Sequence, residues 1–307
     1  MKATRDSYGE ALVELGKKNE KIVVLDADLA TATKTIEFKK EFPNRFFDIG
    51  IAEQDMMGTA AGLALGGKIP FASTFAVFAS GRAYDQIRNQ ICYSNLNVKI
   101  AATHAGITVG EDGASHQSLE DLALMRAIPN MTVFSPSDDL ETKWAVEESV
   151  KIKGPVYIRL TRQKTEEIYK DMSRFCFGKV VTHGTGEDAT IIATGVTAIE
   201  SLKAQEILKN KGINVRVLDI HTIKPIDKEA IVKAAKETKH IVTVEDHSII
   251  GGLGSTVCEV LSEEYPVKVT RMGINDEFGQ SGKWDELMKY YKIDSVSIAN
   301  RVENLCK

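Results

Sequence analysis

The sequence predicts an α/β protein made of two mainly parallel α/β domains. Short apolar, β-branched runs alternate with stretches of helical periodicity, as in strand–crossover–strand units whose sheet is covered on both faces. The alternation stops near residues 163–177, where polar residues dominate, and resumes in smaller form beyond them. The length of 307 residues is enough for two cores. On these grounds the first domain is expected over residues 1–170 and the second over 178–307.

In the first half, Asp6 to Lys18 is predicted as an amphipathic helix with Tyr8, Ala11, Leu12 and Leu15 on one side. Ile22 to Leu25 is predicted as a buried strand that delivers Asp26-Ala27-Asp28 to the carboxyl edge, where ligands bind in open α/β sheets. Arg45 to Ile49 is predicted as a strand leading into Gly50-Ile51-Ala52-Glu53-Gln54 and a helix rich in small residues, Gly58, Ala60, Ala61, Gly62 and Ala64. Glycine costs a helix roughly 1 kcal/mol relative to alanine, so the return is close approach of another backbone. Strands follow at Ile69 to Thr74 and Val98 to Ala102, with a helix expected from Ser80 to Tyr93 between them. A helix at Leu119 to Arg126, a strand at Thr132 to Phe134, a helix at Asp138 to Val150 and a strand at Val156 to Leu160 complete this half.

The second half is predicted to carry strands near 190–194, 214–219, 240–244 and 267–270, alternating with helices near 198–209, 228–235 and 253–262. Gly251-Gly252-Leu253-Gly254 lacks the spacing of a dinucleotide fingerprint and reads as a tight turn into a helix. His247 beside it reads as a polar loop residue, and His183, His221 and His240 as structural or surface residues.

Composition removes several classes of function. A net charge of −4 provides no basic face for nucleic acid. No apolar run reaches membrane-span length, and the stretch after Met1 lacks a signal-peptide core. The four cysteines, Cys92, Cys176, Cys258 and Cys306, form no CxxC pair, which fits free thiols in a reducing cytoplasm rather than disulfides or a zinc site.

The stretch with most chemistry is Ala102 to Gln117, ATHAGITVGEDGASHQ. Two of the six histidines, His104 and His116, lie in it with Glu111, Asp112 and a set of glycines. That is poor material for a core and good material for a loop that touches a polar ligand. Phe75 and Phe78, three residues apart, follow the third strand and offer flat faces for a heterocycle.

Three motifs, GIAEQ (Gly50 to Gln54), STFAVF (Ser73 to Phe78) and THAGITVGEDGASHQ (Thr103 to Gln117), give the chain its resemblance to the C-terminal part of transketolases. The resemblance covers nearly the whole length and implies a pyrimidine-binding domain for thiamine diphosphate followed by the smaller C-terminal domain. It implies transfer of a two-carbon ketol unit from a ketose phosphate to an aldose phosphate in the pentose phosphate pathway. Position by position, Glu53 resembles the glutamate that hydrogen-bonds the cofactor's aminopyrimidine, and Phe78 the aromatic that stacks on it, with Phe75 walling the pocket. The family often has a tyrosine three residues after that aromatic, where this chain has Gly81. His104, Asp112 and His116 resemble substrate residues, with His104 toward the sugar phosphate, Asp112 reading a hydroxyl and His116 facing the reacting carbon. Arg162 and Arg5 resemble phosphate-contacting arginines, whose planar fork suits phosphate. Asp28 resembles an acidic residue near the cofactor.

The family holds the cofactor's diphosphate and Mg²⁺ with a Gly-Asp-Gly motif in an N-terminal domain, and no Gly-Asp-Gly occurs here. No metal ligand is therefore assigned within the chain. The implied arrangement is a split enzyme, in which an N-terminal transketolase subunit carries diphosphate and metal. Two copies of each chain would form the assembly, with active sites between chains and a homodimer contact within a heterotetramer. Rival readings are a 1-deoxyxylulose-5-phosphate synthase-like half, which shares RAYDQ (Arg82 to Gln86), a 2-oxoacid dehydrogenase β-like subunit, and a non-catalytic regulatory relative. Against the first, His104 stands where that family's loop typically has an acidic residue; against the second, the two-histidine loop is not its pattern.

Overall fold

A computed structural model describes all residues, 1–307. The first half runs β1 (Lys2–Ala3), α1 (Thr4–Lys18), β2 (Ile22–Asp26), α2 (Ala30–Thr33), α3 (Ile36–Glu41), β3 (Phe46–Asp48), α4 (Glu53–Leu65) and β4 (Ile69–Phe75). It continues through α5 (Tyr84–Gln86), β5 (Lys99–Thr103), α6 (Asp121–Ala127), β6 (Thr132–Phe134), α7 (Asp139–Lys151), β7 (Val156–Arg159) and β8 (Lys164–Thr165). The second half contains β9 (Val181–His183), β10 (Ala189–Ala193), α8 (Val196–Lys209), β11 (Val215–Asp219), β12 (Thr222–Lys224) and α9 (Lys228–Glu237). It ends with β13 (His240–Ser248), α10 (Leu253–Glu264), β14 (Val269–Ile274), α11 (Trp284–Tyr290) and α12 (Ser295–Cys306).

The larger sheet has the order β12-β6-β7-β5-β4-β2-β3, and the smaller β14-β13-β10-β11-β9. Only the edge strands β12 and β9 pair antiparallel within them. The runs IVVLD of β2, KIAAT of β5 and ATIIA of β10 are buried at every residue, as strands covered on both faces require. Asp26 and Lys99 are the charged residues among them. The Lys99 ammonium donates to the carbonyls of Ile152 and Gly154 at 2.8 and 2.9 Å, and burial pushes its pKa down to about 7.

The two halves share structure. β12, from the second half, adds to the first sheet beside β6. Ile192, Leu218, Ile220 and Ile223 pack in the same apolar cluster as Ile100, Leu122 and Met125.

Several local expectations differ from what is observed. The helix expected from Ser80 to Tyr93 is broken into π-helical turns at Phe78–Arg82 and Ile87–Cys92 around the short α5. His247 is not a loop residue: it lies buried in β13, which runs on to Ser248 because Ser248 donates its N–H to the Leu119 carbonyl of the first half. β9, β12, α11 and α12 have no counterpart among the expected elements. The Gly251–Gly254 turn does open a helix at Leu253.

Candidate active site

Parallel β3, β2, β4, β5 and β7 lie side by side, so their carboxyl ends form one edge. Every expected site residue except Arg5 follows one of these strands: Asp28 after β2, Glu53 after β3, Phe75 and Phe78 at and after β4, His104, Asp112 and His116 after β5, Arg162 after β7. Arg5 reaches the edge from the first turn of α1. This is the crevice in which open α/β sheets bind ligands.

A line of flat groups crosses the crevice. The His104 imidazole stacks on Phe75 with ring centres 3.7 Å apart, and Phe75 stacks on Phe78 at 5.8 Å with planes 10° apart. His116 meets Phe78 edge-on at 5.5 Å. The Arg82 guanidinium lies 4.0 Å from the Phe78 ring centre and donates to Glu53 Oε1 at 3.0 Å. Glu53 opens α4 and is only 4% exposed. Ile51, Gln54, Asp55 and Arg82 line an open cleft of about 630 Å³ around it.

Arg82 is a residue that sequence reasoning left without a role. Its signal was its place four residues after Phe78, which the wide π-helical turn brings over the ring. Its contacts also test the fit of an aminopyrimidine. A planar, nitrogen-rich group already stacks on Phe78 and hydrogen-bonds Glu53, so these two residues accept that shape and chemistry. Glu53, Phe75 and Phe78 are the residues that would hold such a ring.

At the other end, Arg5 Nη1 donates to the Ala32 carbonyl at 3.0 Å and lies 3.1 Å from His104 Nε2. Arginine only donates, so Nε2 is the acceptor, and His104 carries its proton on Nδ1, 2.9 Å from Thr103 Oγ1. Burial, then the charges of Arg5 and Arg162 and the neighbouring His116, push the His104 pKa down to about 3, and the ring is neutral. Arg5 Nε is buried without a partner, a free donor beside His104. Arg162 donates to the Val109 carbonyl at 2.6 Å and pairs with Glu111 and Asp112, each at 3.5 Å. Asp112 is thus tied to Arg162. Asp28 is exposed in a left-handed conformation, and its carboxylate makes no hydrogen bond or ion pair; its N–H donates to Asp48. Asp26, two residues earlier, is the buried one, accepting from Leu29 N–H and from the Thr33 and Thr35 hydroxyls. No group of three or more His, Cys, Asp or Glu side chains is arranged to hold a metal ion. No helix is long and apolar enough to cross a membrane.

Residues 1–167 match the family described as transketolase, pyrimidine binding domain, and residues 178–298 the family described as transketolase, C-terminal domain. A Methanocaldococcus jannaschii protein described as "Putative transketolase C-terminal section" is 57% identical over 306 residues, 98% of this chain and 95% of its own length. A 6-deoxy-6-sulfo-D-fructose transketolase subunit of a Clostridium species is 42% identical over 294 residues, 96% of this chain and 91% of that protein. Human transketolase is 43% identical over 307 residues, which are 99% of this chain and 49% of the human protein, so the chain spans about half the length of that relative. A solved structure described as split gene transketolase, inactive β4 tetramer, has a TM-score of 0.92 at 53% identity and covers 99% of this chain and 98% of that one.

Proposed function

Because the chain belongs to the transketolase family, we propose that it is the pyrimidine-binding subunit of a thiamine-diphosphate-dependent transketolase, moving a two-carbon ketol unit from a ketose phosphate to an aldose phosphate. The observation that carries this reading is the run of Arg5, His104, Phe75, Phe78, Arg82 and Glu53 across one crevice. When bound, the cofactor would supply the carbon nucleophile and the electron sink. Glu53 would exchange a proton with the ring nitrogen from its low-dielectric seat, while Phe78 and Phe75 fix the ring plane. His104, neutral and accepting at Nε2, orients Arg5, whose guanidinium would take a substrate phosphate oxygen together with Arg162. Asp112 and His116 would read substrate hydroxyls, Asp112 after exchanging its Arg162 contact. Asp28 would lie at the cofactor's edge.

The second half of the reading is a partner. We propose that an N-terminal transketolase subunit holds the diphosphate and Mg²⁺, and that two copies of each chain form the active, cytoplasmic enzyme of the pentose phosphate pathway. Support comes from relatives that this chain covers over 91–98% of their length, one described as an inactive tetramer of β chains. The outer face of α4 is open beside Gly62, with Ile51 and Leu65 about three-quarters exposed at its ends, which suits a subunit contact. The synthase-like, dehydrogenase-like and non-catalytic readings are not favoured, since these matches are transketolases or split transketolase subunits.

The test is ketol transfer by the chain mixed with a diphosphate-binding subunit. Glu53→Ala should lower kcat by at least about a hundredfold, the scale of lost acid–base catalysis, without dissociating the complex. Full activity of the variant would overturn the assignment.

A further inference from the structure

The loop from His104 to Gln117 is held partly by its own backbone, the N–H groups of Gly110, Gly113 and His116 donating to the carbonyls of Ile107, Gly110 and Gly113, and partly from outside. Its one regular piece is a 3₁₀ turn at Ile107–Val109, and His104, Gly106, Gly110 and Gly113 all have left-handed φ. His104 at φ +58 is a conformation that a side-chain-bearing residue keeps only when its surroundings impose it.

Ala105 and Gly106 beside it donate to the Leu160 and Ser118 carbonyls of the first half, and the turn that follows is tied from the other half of the chain. Asp246, buried near the end of β13, accepts from the Ile107 N–H at 2.8 Å through Oδ1 and from the Thr108 hydroxyl at 3.2 Å through Oδ2. The approach is so close that a methyl on Gly106 would stand 2.1 Å from Oδ2. The Asp246 carbonyl is itself fixed, accepting from Arg159 Nη2 at 2.8 Å, and Arg159 is paired with the buried Asp121. A second strut, Gln117 Nε2, donates to the Gln280 carbonyl of the second half at 3.0 Å.

We propose that Asp246 is a positioning residue of the ketol-transfer site: from the second half it sets the Gly106–Thr108 turn and so holds His104 between Phe75 and Arg5. The inference rests on the proposed function only for its kinetic consequence. No side chain of the second half lies in the run of groups across the crevice, so its contribution to the chemistry is this clamp.

The test uses the complex of this chain with a diphosphate-binding subunit. Asp246→Ala should lower kcat/KM for a ketose phosphate by about a hundredfold, the cost of a small misplacement of reacting groups. Its thiamine diphosphate affinity should stay unchanged. Asp246→Asn keeps an acceptor for Ile107 and a partner for the Thr108 hydroxyl, and should recover to within about threefold. Two readouts need no activity. In Asp246→Ala the amides of Ile107 and Thr108 should exchange faster with solvent. The His104 imidazole, released from Arg5, should titrate closer to the ordinary histidine range by NMR. If Asp246→Ala does not fold, Thr108→Val removes one strut and should give a smaller change in the same direction. A folded Asp246→Ala variant with unaltered His104 titration and loop exchange would overturn the proposal. Absence of ketol transfer in the unsubstituted complex would instead count against the proposed function, leaving the NMR and exchange readouts to decide the role of Asp246.

Discussion

Replacing Gly106 by alanine sets two independent costs against the fold. The residue sits at φ +75 and ψ −173, a region essentially reserved for glycine. An L-residue there costs on the order of 1–3 kcal/mol. The new methyl would also fall 2.1 Å from Asp246 Oδ2, 2.4 Å from Cγ and 2.6 Å from Oδ1, so the carboxylate must leave its place. Asp246 then loses its bonds to Ile107 and Thr108. Hydrogen bonds to a charged group are worth about 1.5–3 kcal/mol each, so the two bonds and the backbone cost together come to about 4–9 kcal/mol. Denaturant titration of the variant beside Gly62→Ala gives the control. The Gly62 Cβ position meets nothing within 4 Å in a helix interior, and alanine there should be neutral or stabilise by up to about 1 kcal/mol. A Gly106→Ala protein within about 0.5 kcal/mol of the unsubstituted chain would refute the reasoning, since surface substitutions with no contact fall in that range.

Three further outcomes follow from the same contacts. Arg159→Leu strands the fully buried Asp121 carboxylate and should cost about 3–5 kcal/mol in denaturant titration, while adding Asp121→Leu should recover part of it; equal losses in both would contradict the ion-pair account. His104 is neutral when folded, with its pKa depressed to about 3, but takes up a proton near 6.5 when unfolded. Its contribution is therefore full above pH 6.5 and is lost as pH falls toward 3. Between pH 7 and 5 the unsubstituted chain should lose about 2 kcal/mol more than His104→Gln, and parallel stability curves would contradict that. Gly62→Leu should leave the isolated chain's stability nearly unchanged but prevent co-elution with a diphosphate-binding subunit, and normal assembly would remove α4 from the proposed interface.

What the sequence made legible, and what it hid, separates along local and non-local lines. The runs at 22–25, 100–102 and 191–193 are apolar on both faces, so burial could be read directly from them. The places of Glu53, Phe75, Phe78 and His104 at the sheet edge were legible because each ends or follows a readable strand and stands in a recognisable motif. Arg82 was not, because its place over Phe78 depends on a π-helical turn that has no periodic signature in FASGR. His247 looked like loop polarity. With Glu245 and Asp246 it forms a buried joint, in which Glu245 receives the Leu253 and Gly254 N–H groups, Asp246 the Ile107 N–H and His247 the Ala123 N–H. Those partners lie up to 139 residues away, and no local pattern encodes them. β12 was hidden for the same reason, since three residues, Thr222-Ile-Lys, form a strand only because β6 of the other half offers an edge. The helix at 295–306 did carry a signal, with Ile298, Ala299 and Val302 at helical spacing, and it could have been read.

The central claim is that this chain supplies the pyrimidine half of a divided cofactor site. Calorimetric titration of thiamine diphosphate with Mg²⁺ tests it most directly, first into the isolated chain and then into the chain with a diphosphate-binding subunit. The account predicts weak or absent binding in the first titration and tight, Mg²⁺-dependent binding in the second, lost with Glu53→Ala. Tight Mg²⁺-dependent binding by the isolated chain would contradict it.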